Sequence, residues 1–436
     1  MTTKGFLPPS RHIAGSVVVP GSKSLSNRAL VCAALGDGES QILGVASGDD
    51  TGRMIAAITQ LGAKVEGGSG SLVIRGPINT ADTAPLILDA GLAGTTSRFL
   101  TAVAALRRGE TTITGGPGLR ARPMGELHRL VRELGATVKC DREGCLPVTV
   151  RGVDLATESP TAGSPRLLTA RGDTSSQFIS AVMMVAPWLG GAHIRLEGIV
   201  VSREYLQMTA QVMQHFGVAA KVDSNDVLVP QGRYRASRFV AEADWSSASY
   251  VFGAAAIVGG SVRVPLLRRD TTQPESRFLE VLEAVGCHVR LVEGEGGVEV
   301  SRKENDVLRG ASVDMSSMSD LVPTLAAIAA CASSPTEIRG VGFIRTKESD
   351  RLGDLAHELS RCGVGATVFE DGIRIEPRPL KSSDIDPHDD HRLAMALSLL
   401  GLRHEGISVR DASVVEKSWP AFWQDMSSGL NLGVVG

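Results

Sequence analysis

The nine residues from 20 to 28, PGSKSLSNR, combine the residue types that bind an anion. Lys23 and Arg28 supply two cations, and three serines supply hydroxyl groups. The apolar stretch that follows is typical of a helix, so these groups stand at a helix N-terminus, which also favours negative charge. A nucleotide-binding phosphate loop needs a glycine where Ser16 stands, so the segment predicts a phosphate or carboxylate site of another kind. The alternative is a serine-rich helix cap beside two solvated cations.

Polar and charged residues recur beside glycine turns and expected helix starts in the rest of the chain. In the first half they are Gly94, Thr95, Arg98, Arg120, Arg122, Ser175, Ser176, Gln177, Ser202, Arg203 and Tyr205. In the second half they are Asp320, Lys347, Glu348, Asp350, Arg351, His391, Arg392 and Lys417. Arginines that bind two oxygens at once and point-charge lysines suit a substrate with several anionic groups. A single charged residue of this kind is more often a solvated surface charge than a substrate ligand. The prediction therefore depends on the recurrence of such residues beside glycine turns and helix starts.

The segment DPHDDHR (386–392) has the residue types of a metal site, because His388 and His391 flank two aspartates. Its spacing matches no standard helical pair of ligands, and the sequence shows no further cluster of soft ligands. We expect instead that the aspartates orient His391 and Arg392 at the start of a helix over residues 392–402. The sequence thus predicts no metal ion and no cofactor.

The composition excludes several classes of protein. The 436 residues carry a net charge of −3, so no basic excess indicates a nucleic acid or an anionic membrane as partner. Hydrophobic residues make up 43%, aromatic residues only 4%, and 49 residues are glycine, which predicts aliphatic packing and tight turns. No apolar run is long enough to span a membrane, and the N-terminus lacks the apolar core of a signal peptide. The six cysteines form no C-x-x-C pair, which predicts reduced thiols in a cytoplasmic protein.

The elements that must position these residues repeat along the chain. A glycine that ends a helix and leads into a strand hairpin occurs five times, beginning near residues 61, 134, 216, 285 and 362. A short strand that runs into a polar turn occurs six times, beginning near residues 41, 112, 193, 261, 338 and 407. Helices are expected between them. A spacing of about 70–80 residues indicates internal repetition, here six strand–helix–strand units.

Three repeats in each domain would divide the chain near residue 240, since 436 residues are too many for one ordinary core. We therefore predict a first domain of residues 20–240 and a discontinuous second domain of residues 1–19 plus 241–436. Hinge crossovers are expected near residues 15–21 and 235–245. The sixth repeat is short at its C-terminal end, and an N-terminal strand over residues 11–19 would complete it. The alternative is two unrelated α/β domains in which glycine turns recur by chance.

The chain resembles the 5-enolpyruvylshikimate-3-phosphate (EPSP) synthase family over almost its whole length. Ten segments occur in the family's order and spacing: PGSKSLSNR (20–28), LAGTTSRF (92–99), RARP (120–123), SSQF (175–178), SREY (202–205), DWSSASY (244–250), DMSSMSDLVPTLA (314–326), KESDRL (347–352), DDHRLAMA (389–396) and VEKSWPAF (415–422). The resemblance implies a two-domain inverse α/β barrel of six βαβ-type repeats, three per domain, with the active site in the cleft between the domains.

The resemblance also implies a reaction and roles for individual residues. The family transfers the enolpyruvyl group of phosphoenolpyruvate to the 5-hydroxyl of shikimate 3-phosphate, through a tetrahedral intermediate and without a cofactor. Asp320, Glu348 and Lys23 would be catalytic, with Asp320 at the attacking hydroxyl and Glu348 as proton donor or shuttle. Shikimate 3-phosphate would be bound by Lys23, Ser24, Arg28, Ser175, Ser176, Gln177, Ser202, Tyr205, Asp320 and Lys347. Phosphoenolpyruvate would be bound by Lys23, Gly94, Arg122, Gln177, Lys347, Arg351, His391, Arg392 and Lys417.

Four residues depart from the family's usual pattern. Leu92 and Phe99 stand where many members have asparagine and proline. Phe343 stands where many have a polar residue, and Ser349 replaces a common threonine. Gly94 is retained where a bulkier residue would crowd the phosphoenolpyruvate pocket, so the resemblance also implies inhibition by glyphosate.

Two other functions remain as alternatives. UDP-N-acetylglucosamine enolpyruvyl transferase shares the fold, but many of its members carry a cysteine in the loop that corresponds to GGPGLRARP (115–123), and this loop has none. An inactive repeat scaffold that binds phosphorylated metabolites would not need Asp320, Lys23 and Glu348. The expected partners are the two small substrates, with no nucleic acid and no membrane, and the expected state is a monomer.

Overall fold

A computed structural model of the chain describes residues 2–68, 70–155, 165–173, 175–198, 200, 202–292, 296–303 and 305–436. The chain divides into two compact units, one of Gly21–Ala241 and one of Met1–Pro20 with Glu242–Gly436. We call them the continuous unit and the discontinuous unit. Their bounds differ by one residue from those drawn on the sequence.

The continuous unit contains three four-stranded sheets that share one strand order. In each sheet, two parallel strands lie side by side, and the second of them pairs with an antiparallel hairpin. The hairpin strand that comes later in the chain lies next to the parallel pair, and the earlier one forms the edge of the sheet. In spatial order, the strands of the first sheet are Arg238–Val240, Gly38–Leu43, Ser71–Gly76 and Lys64–Gly68. Those of the second sheet are Leu86–Asp89, Glu110–Thr114, Val148–Arg151 and Thr137–Cys140. Those of the third sheet are Arg166–Arg171, Ala192–Glu197, Asp226–Val229 and Lys221–Val222.

The discontinuous unit repeats this order. Two of its sheets are Ile13–Ser16, Gly260–Val264, Val298–Arg302 and His288–Leu291, and Ser312–Asp314, Thr336–Arg339, Gly372–Glu376 and Gly365–Phe369. In the last repeat Ser383–Ile385 pairs in parallel with Ile407–Val409, and Val409 bridges to Lys4. Gly5–Phe6 then pairs with Val434–Val435.

The N-terminal strand completes a different repeat from the one predicted. Ile13–Ser16 pairs with Gly260–Val264 of the fourth repeat, and the sixth repeat receives Gly5–Phe6 instead, so that prediction is wrong. Arg238–Val240 likewise pairs back with Gly38–Leu43. In both cases, therefore, the strand that precedes a crossing pairs within the unit that the chain is about to leave. A strand's backbone groups need a partner, but the local pattern does not specify which one.

The helices join these strands. In the continuous unit they are Lys23–Leu35, Asp49–Gln60, Gly94–Val103, Pro117–Arg120, Gly125–Glu133, Ser176–Val185 and Glu204–His215. In the discontinuous unit they are Trp245–Val258, Phe278–Ala284, Val322–Ala330, Gly353–Arg361, His391–Ser398 and Phe422–Leu430. Short 3-10 helices are Ala104–Leu106, Ala186–Leu189, Pro274–Arg277, Ser319–Leu321, Gly342–Thr346, Leu399–Leu402 and Ala412–Lys417. Within the described ranges, every helix is too short or too polar to cross a lipid bilayer.

Each unit has its own core, built around three helices that are buried on almost every side. They are Lys23–Leu35, Gly94–Val103 and Ser176–Val185 in one unit, and Trp245–Val258, Val322–Ala330 and His391–Ser398 in the other. Close packing of such helices requires small side chains: a Cβ atom on Gly253 would lie 2.9 Å from Leu399 Cδ1. Ser249 Oγ also lies 2.9 Å from Thr324 Oγ1. The many glycines and few aromatic residues follow from this packing.

The N-termini of the buried helices carry several of the polar residues that the sequence singles out. Ser22 and Ser175 cap two helices of the continuous unit, and Asp244 and Asp390 cap two of the discontinuous unit. Among the described residues, no side chain caps the helix that starts at Gly94, so its first N–H groups keep their capacity to bind an anion.

Candidate active site

Arg351 is the centre of a charged cluster in the discontinuous unit. Its side chain is 1% exposed and makes ion pairs with three carboxylates: Nε with Asp390 Oδ2 at 2.6 Å, Nη1 with Asp320 Oδ1 at 2.8 Å and Nη2 with Glu348 Oε2 at 2.6 Å. These carboxylates hold the pKa of Arg351 above its usual value, although burial alone would lower it. The guanidinium therefore stays charged and fixes three acids relative to one another.

Asp320 lies between two arginines. Its Oδ1 accepts from Arg351, and its Oδ2 accepts from Arg392 Nη2 at 2.7 Å. Burial alone would raise the pKa of Asp320, but Arg392, Lys347 and Arg351 outweigh it and hold the pKa well below its usual range. Asp320 is thus a fully ionised carboxylate held against cations that an anionic substrate would also attract.

Glu348 is the second carboxylate available for proton transfer. Its Oε2 accepts from Arg351, and its Oε1 lies 3.3 Å from Lys417 Nζ. Lys347, the preceding residue, places Nζ 5.8 Å from the ring of Phe343, one of the residues that depart from the family pattern. Glu348 therefore has one lysine, Lys417, beside its side chain and another, Lys347, as its neighbour in the chain.

The segment DPHDDHR ends in a helix cap. Asp390 Oδ1 accepts from Arg392 N at 2.8 Å, while its other oxygen accepts from Arg351 and from Ser349 Oγ. His391 is buried next to this carboxylate, and His388 lies near Glu358 instead, at 3.3 Å. Asp390 therefore orients the side chain of Arg351 and fixes the backbone of Arg392 at the helix start, and both arginines are expected to bind phosphoenolpyruvate.

In the continuous unit, Lys23 is paired with a buried carboxylate. Its Nζ lies 2.9 Å from Asp50 Oδ2, and Asp50 is itself 2% exposed. The backbone carbonyl of Asp50 accepts from Thr96 Oγ1 at 2.9 Å, on the helix that starts at Gly94. Asp50 thus links the two helix N-termini that carry Lys23 and Gly94.

Two guanidinium groups lie against Gly94. A Cβ atom on this glycine would overlap Arg98 Nη1 and lie 2.9 Å from Arg122 Nη1. Both arginines are buried, and Arg98 also lies 5.5 Å over the ring of Phe178. An uncapped helix N-terminus and two arginines at one glycine form an arrangement that attracts a phosphate or a carboxylate. Arg120, two residues before Arg122, is instead hydrogen-bonded to its own turn at Gly115 O.

Arg28 occupies the interior of the continuous unit. Its Nε donates to Thr209 Oγ1 at 2.7 Å, Nη1 to Ser24 O at 3.0 Å and Nη2 to Tyr205 O at 3.5 Å. Its guanidinium also lies 5.4 Å from the ring centre of Phe99, a residue that departs from the family pattern. This geometry joins the N-terminus of one buried helix to the helix Glu204–His215. Binding of shikimate 3-phosphate by Arg28 stays a prediction.

Hydroxyl and amide groups cluster at two further turns. Ser175 caps the helix Ser176–Val185 by accepting from Gln177 N at 3.3 Å. Ser202 adopts a left-handed backbone conformation with φ 54°, and its carbonyl accepts from Tyr205 N. A serine in that conformation is uncommon, and such strain often occurs at ligand sites. These groups can donate to phosphate and hydroxyl oxygens.

Three residues that the predicted site does not include contribute to this geometry. Asp390 and Asp50 each position a predicted cation, and Arg98 joins Arg122 at Gly94. The sequence placed Arg98 and the 386–392 segment in charged clusters, but it gave no signal for Asp50, which lies in an otherwise ordinary helix. Pairing between residues 27 positions apart is a property of the tertiary structure.

Comparison with known proteins agrees with these observations. The profile of the EPSP synthase (3-phosphoshikimate 1-carboxyvinyltransferase) family matches residues 7–426. A 3-phosphoshikimate 1-carboxyvinyltransferase from Syntrophobacter fumaroxidans is 40% identical over 427 residues, covering 96% of this chain and 97% of the relative. One from Nostoc sp. is 38% identical over 429 residues, covering 95% and 96%.

Solved structures show the same fold. An EPSP synthase from Acinetobacter baumannii superposes with a TM-score of 0.78 and 25% identity, covering all of both chains. The enolpyruvyl transferase NikO from Streptomyces tendae, at 16% identity and covering 99% of this chain and 98% of its own, gives a TM-score of 0.75, which shows the fold alone. The chain therefore has the two-domain inverse α/β fold of the enolpyruvyl transferases. Within that class it belongs to the EPSP synthase family.

The burial of Arg351 predicts a large loss of stability when its charge is removed. Arg351→Met leaves Asp390, which is 0% exposed, without its cation, so we expect a loss of about 3–5 kcal/mol in the free energy of unfolding. Arg345→Met is the matched control, because Arg345 is half-buried and lies 3.5 Å from Asp350; its loss is expected to be at most about 1 kcal/mol. Urea unfolding followed by circular dichroism measures both. Equal losses would contradict the central place given to Arg351.

Proposed function

We propose that the chain transfers the enolpyruvyl group of phosphoenolpyruvate to the 5-hydroxyl of shikimate 3-phosphate, giving 5-enolpyruvylshikimate 3-phosphate and phosphate. This reaction belongs to the shikimate pathway, which leads to chorismate and the aromatic amino acids. The observation that carries the proposal is the placement of Asp320 and Glu348 on the two terminal nitrogens of Arg351, each carboxylate also paired with a second cation. Membership of the EPSP synthase family supports it.

The reaction needs one group that accepts a proton and one that delivers it. The hydroxyl oxygen adds to carbon 2 of phosphoenolpyruvate while carbon 3 gains a proton, and the hydroxyl proton leaves. The tetrahedral adduct then loses phosphate together with one proton of carbon 3, which restores the double bond. We assign the hydroxyl proton to Asp320, and proton delivery or shuttling to Glu348, assisted by Lys23.

The cations around Asp320 couple substrate binding to its basicity. Arg392 and Arg351 lower the pKa of Asp320 against the opposing effect of burial, so the carboxylate alone is a weak base. An anionic substrate on Arg392, Arg351 or Lys417 adds negative charge beside Asp320 and raises that pKa toward the value useful in proton transfer. The carboxylate thus becomes a better base when phosphoenolpyruvate is bound.

The remaining predicted residues bind the two substrates. We propose that Gly94, Arg122 and Gln177 contact phosphoenolpyruvate together with Lys347, His391 and the cations above, and that Arg98 shares the anion at Gly94. Shikimate 3-phosphate is assigned to Lys23, Ser24, Arg28, Ser175, Ser176, Gln177, Ser202, Tyr205, Asp320 and Lys347. Several helix N-termini supply N–H groups for these anions, so the proposal needs no metal ion or cofactor. We further propose that the protein acts as a cytoplasmic monomer.

A phosphate-release assay separates this function from its rivals. We expect release when phosphoenolpyruvate is mixed with shikimate 3-phosphate, no release with UDP-N-acetylglucosamine, and slower release when millimolar glyphosate is added. Release with the UDP-sugar alone would identify the wall-synthesis reaction, and release with neither acceptor would favour an inactive scaffold. An unchanged rate of phosphate release in the presence of glyphosate would contradict the expected inhibition but not the assigned reaction.

Replacement of Asp320 tests its role as the base. Asp320→Asn keeps the shape of the side chain but cannot accept the hydroxyl proton, so kcat should fall by about 10²–10⁴. The matched control is Asp270→Asn, an exposed carboxylate of the same unit that pairs with Arg268; its kcat should stay near that of the wild type. Steady-state kinetics with both substrates measures the two variants. A kcat for Asp320→Asn close to the control value would remove Asp320 from the proton transfer.

Replacement of Gly94 tests the anion site of the continuous unit. The methyl group of Gly94→Ala would displace Arg98 and Arg122, so phosphoenolpyruvate should bind about tenfold more weakly, which corresponds to about 1.4 kcal/mol. Gly118→Ala is the control, because a Cβ atom there meets only Leu92 Cδ2, at 3.8 Å. Titration of phosphoenolpyruvate without shikimate 3-phosphate, so that no turnover occurs, gives the dissociation constants. Equal affinities in the two variants would exclude Gly94 from the binding site.

A further inference from the structure

Three potential metal ligands meet at residues that have no part in the proposed reaction. A ring nitrogen of His128, the Sγ atom of Cys140 and a carboxylate oxygen of Glu143 all lie within 4.8 Å of one another. His128 is in the helix Gly125–Glu133, Cys140 ends the strand Thr137–Cys140, and Glu143 is in the turn that follows.

Backbone and side-chain contacts fasten this turn to the helix. Met124 N, at the start of the helix, donates to Gly144 O at 2.7 Å. Further along the helix, Arg132 Nη1 donates to Glu143 Oε1 at 3.2 Å. The turn is therefore held at two points, one on either side of His128 in the sequence. The fold therefore keeps the turn that carries Glu143 beside the helix that carries His128.

His128 is the strongest indication of a ligand. Its side chain is 0% exposed, and within the described part of the chain neither ring nitrogen has a hydrogen-bond partner. A buried polar group without a partner costs about 1–3 kcal/mol, so such groups are rare without an ion or water beside them. A neutral imidazole ring has a nitrogen lone pair to offer a cation.

The other two ligands already lie close together. Cys140 is a free thiol whose Sγ atom lies 3.3 Å from Glu143 Oε2. One nitrogen, one sulfur and one oxygen form a donor set that suits zinc and similar transition metals. Calcium and magnesium prefer sites made entirely of oxygen ligands, so the thiol and the imidazole argue against them.

We propose that His128, Cys140 and Glu143 bind one divalent transition-metal ion of the zinc class, with water as the fourth ligand. Binding replaces the thiol proton of Cys140 by the metal, and the proton passes to solvent. The thiolate and the carboxylate then balance the two charges of the ion. Tetrahedral bonds of about 2.0–2.3 Å require the most separated ligand atoms to draw in by about 1 Å when the ion binds. Arg132 remains on the outer oxygen of Glu143 and orients it.

Cobalt(II) is the probe that reports the sulfur ligand directly. The full chain, without an affinity tag, is titrated with CoCl₂ after reduction of its thiols, and the absorption spectrum is recorded. We expect a thiolate-to-cobalt charge-transfer band in the near ultraviolet and visible bands of tetrahedral intensity, both saturating at one equivalent. Cys140→Ser should lose the charge-transfer band. Cys331→Ser, another partly buried cysteine outside this turn, is the matched control and should keep it.

Glu143→Gln keeps the test open if a change at the buried His128 impairs folding. Glu143 is exposed, so the variant should fold normally and retain the turnover of the wild type, while binding Zn²⁺ at least about tenfold more weakly in equilibrium dialysis. His128→Asn should weaken binding at least as much where it folds. A titration without the charge-transfer band, a band that persists in Cys140→Ser, or an unchanged Zn²⁺ affinity in Glu143→Gln would each overturn the proposal.

Discussion

The burial of one guanidinium group among three carboxylates organises the discontinuous unit. Arg351 is almost unexposed, and its partners Asp320, Glu348 and Asp390 come from three separate segments before and after it in the chain. A buried charge is tolerated because its partners surround it, and the partners are then fixed in turn. The same contacts lower the pKa of Asp320 against the effect of burial and place Glu348 beside Lys417. Structure and reactivity therefore depend on one set of ion pairs.

Arginines in the continuous unit have two different surroundings, one that connects buried helices and one that lies against a helix N-terminus. The donors of Arg28 are directed at Thr209, Ser24 O and Tyr205 O, and its guanidinium lies over Phe99, so it connects buried helices. Arg98 and Arg122 instead lie against Gly94, at a helix N-terminus without a side-chain cap among the described residues. Glycine is needed there because a side chain would occupy the space between the two guanidinium groups and the helix.

Repetition could be predicted from the sequence because its signals are local. Glycine ends a helix and alternating apolar residues begin a strand within a few positions, and the five hairpins of the four-stranded sheets all appear where that pattern occurs. The pairing of the N-terminal strand could not be predicted in this way. Ile13–Ser16 joins Gly260–Val264, almost 250 residues later, and its place in the sixth repeat is taken by Gly5–Phe6. Any strand with the right alternation satisfies the local pattern equally well.

The sequence by itself determined the repeats, the order of the ten motifs and hence the family, because residue types and spacings are written directly in the chain. It also determined which cations and carboxylates are available to the reaction. The tertiary structure alone decided which of them meet: Asp50 with Lys23, Asp390 with Arg351, and His128 with Cys140 and Glu143. Burial and ion pairing depend on groups that the fold brings together from distant positions. Those contacts set the charge state of Asp320 and leave His128 buried without a hydrogen bond among the described residues.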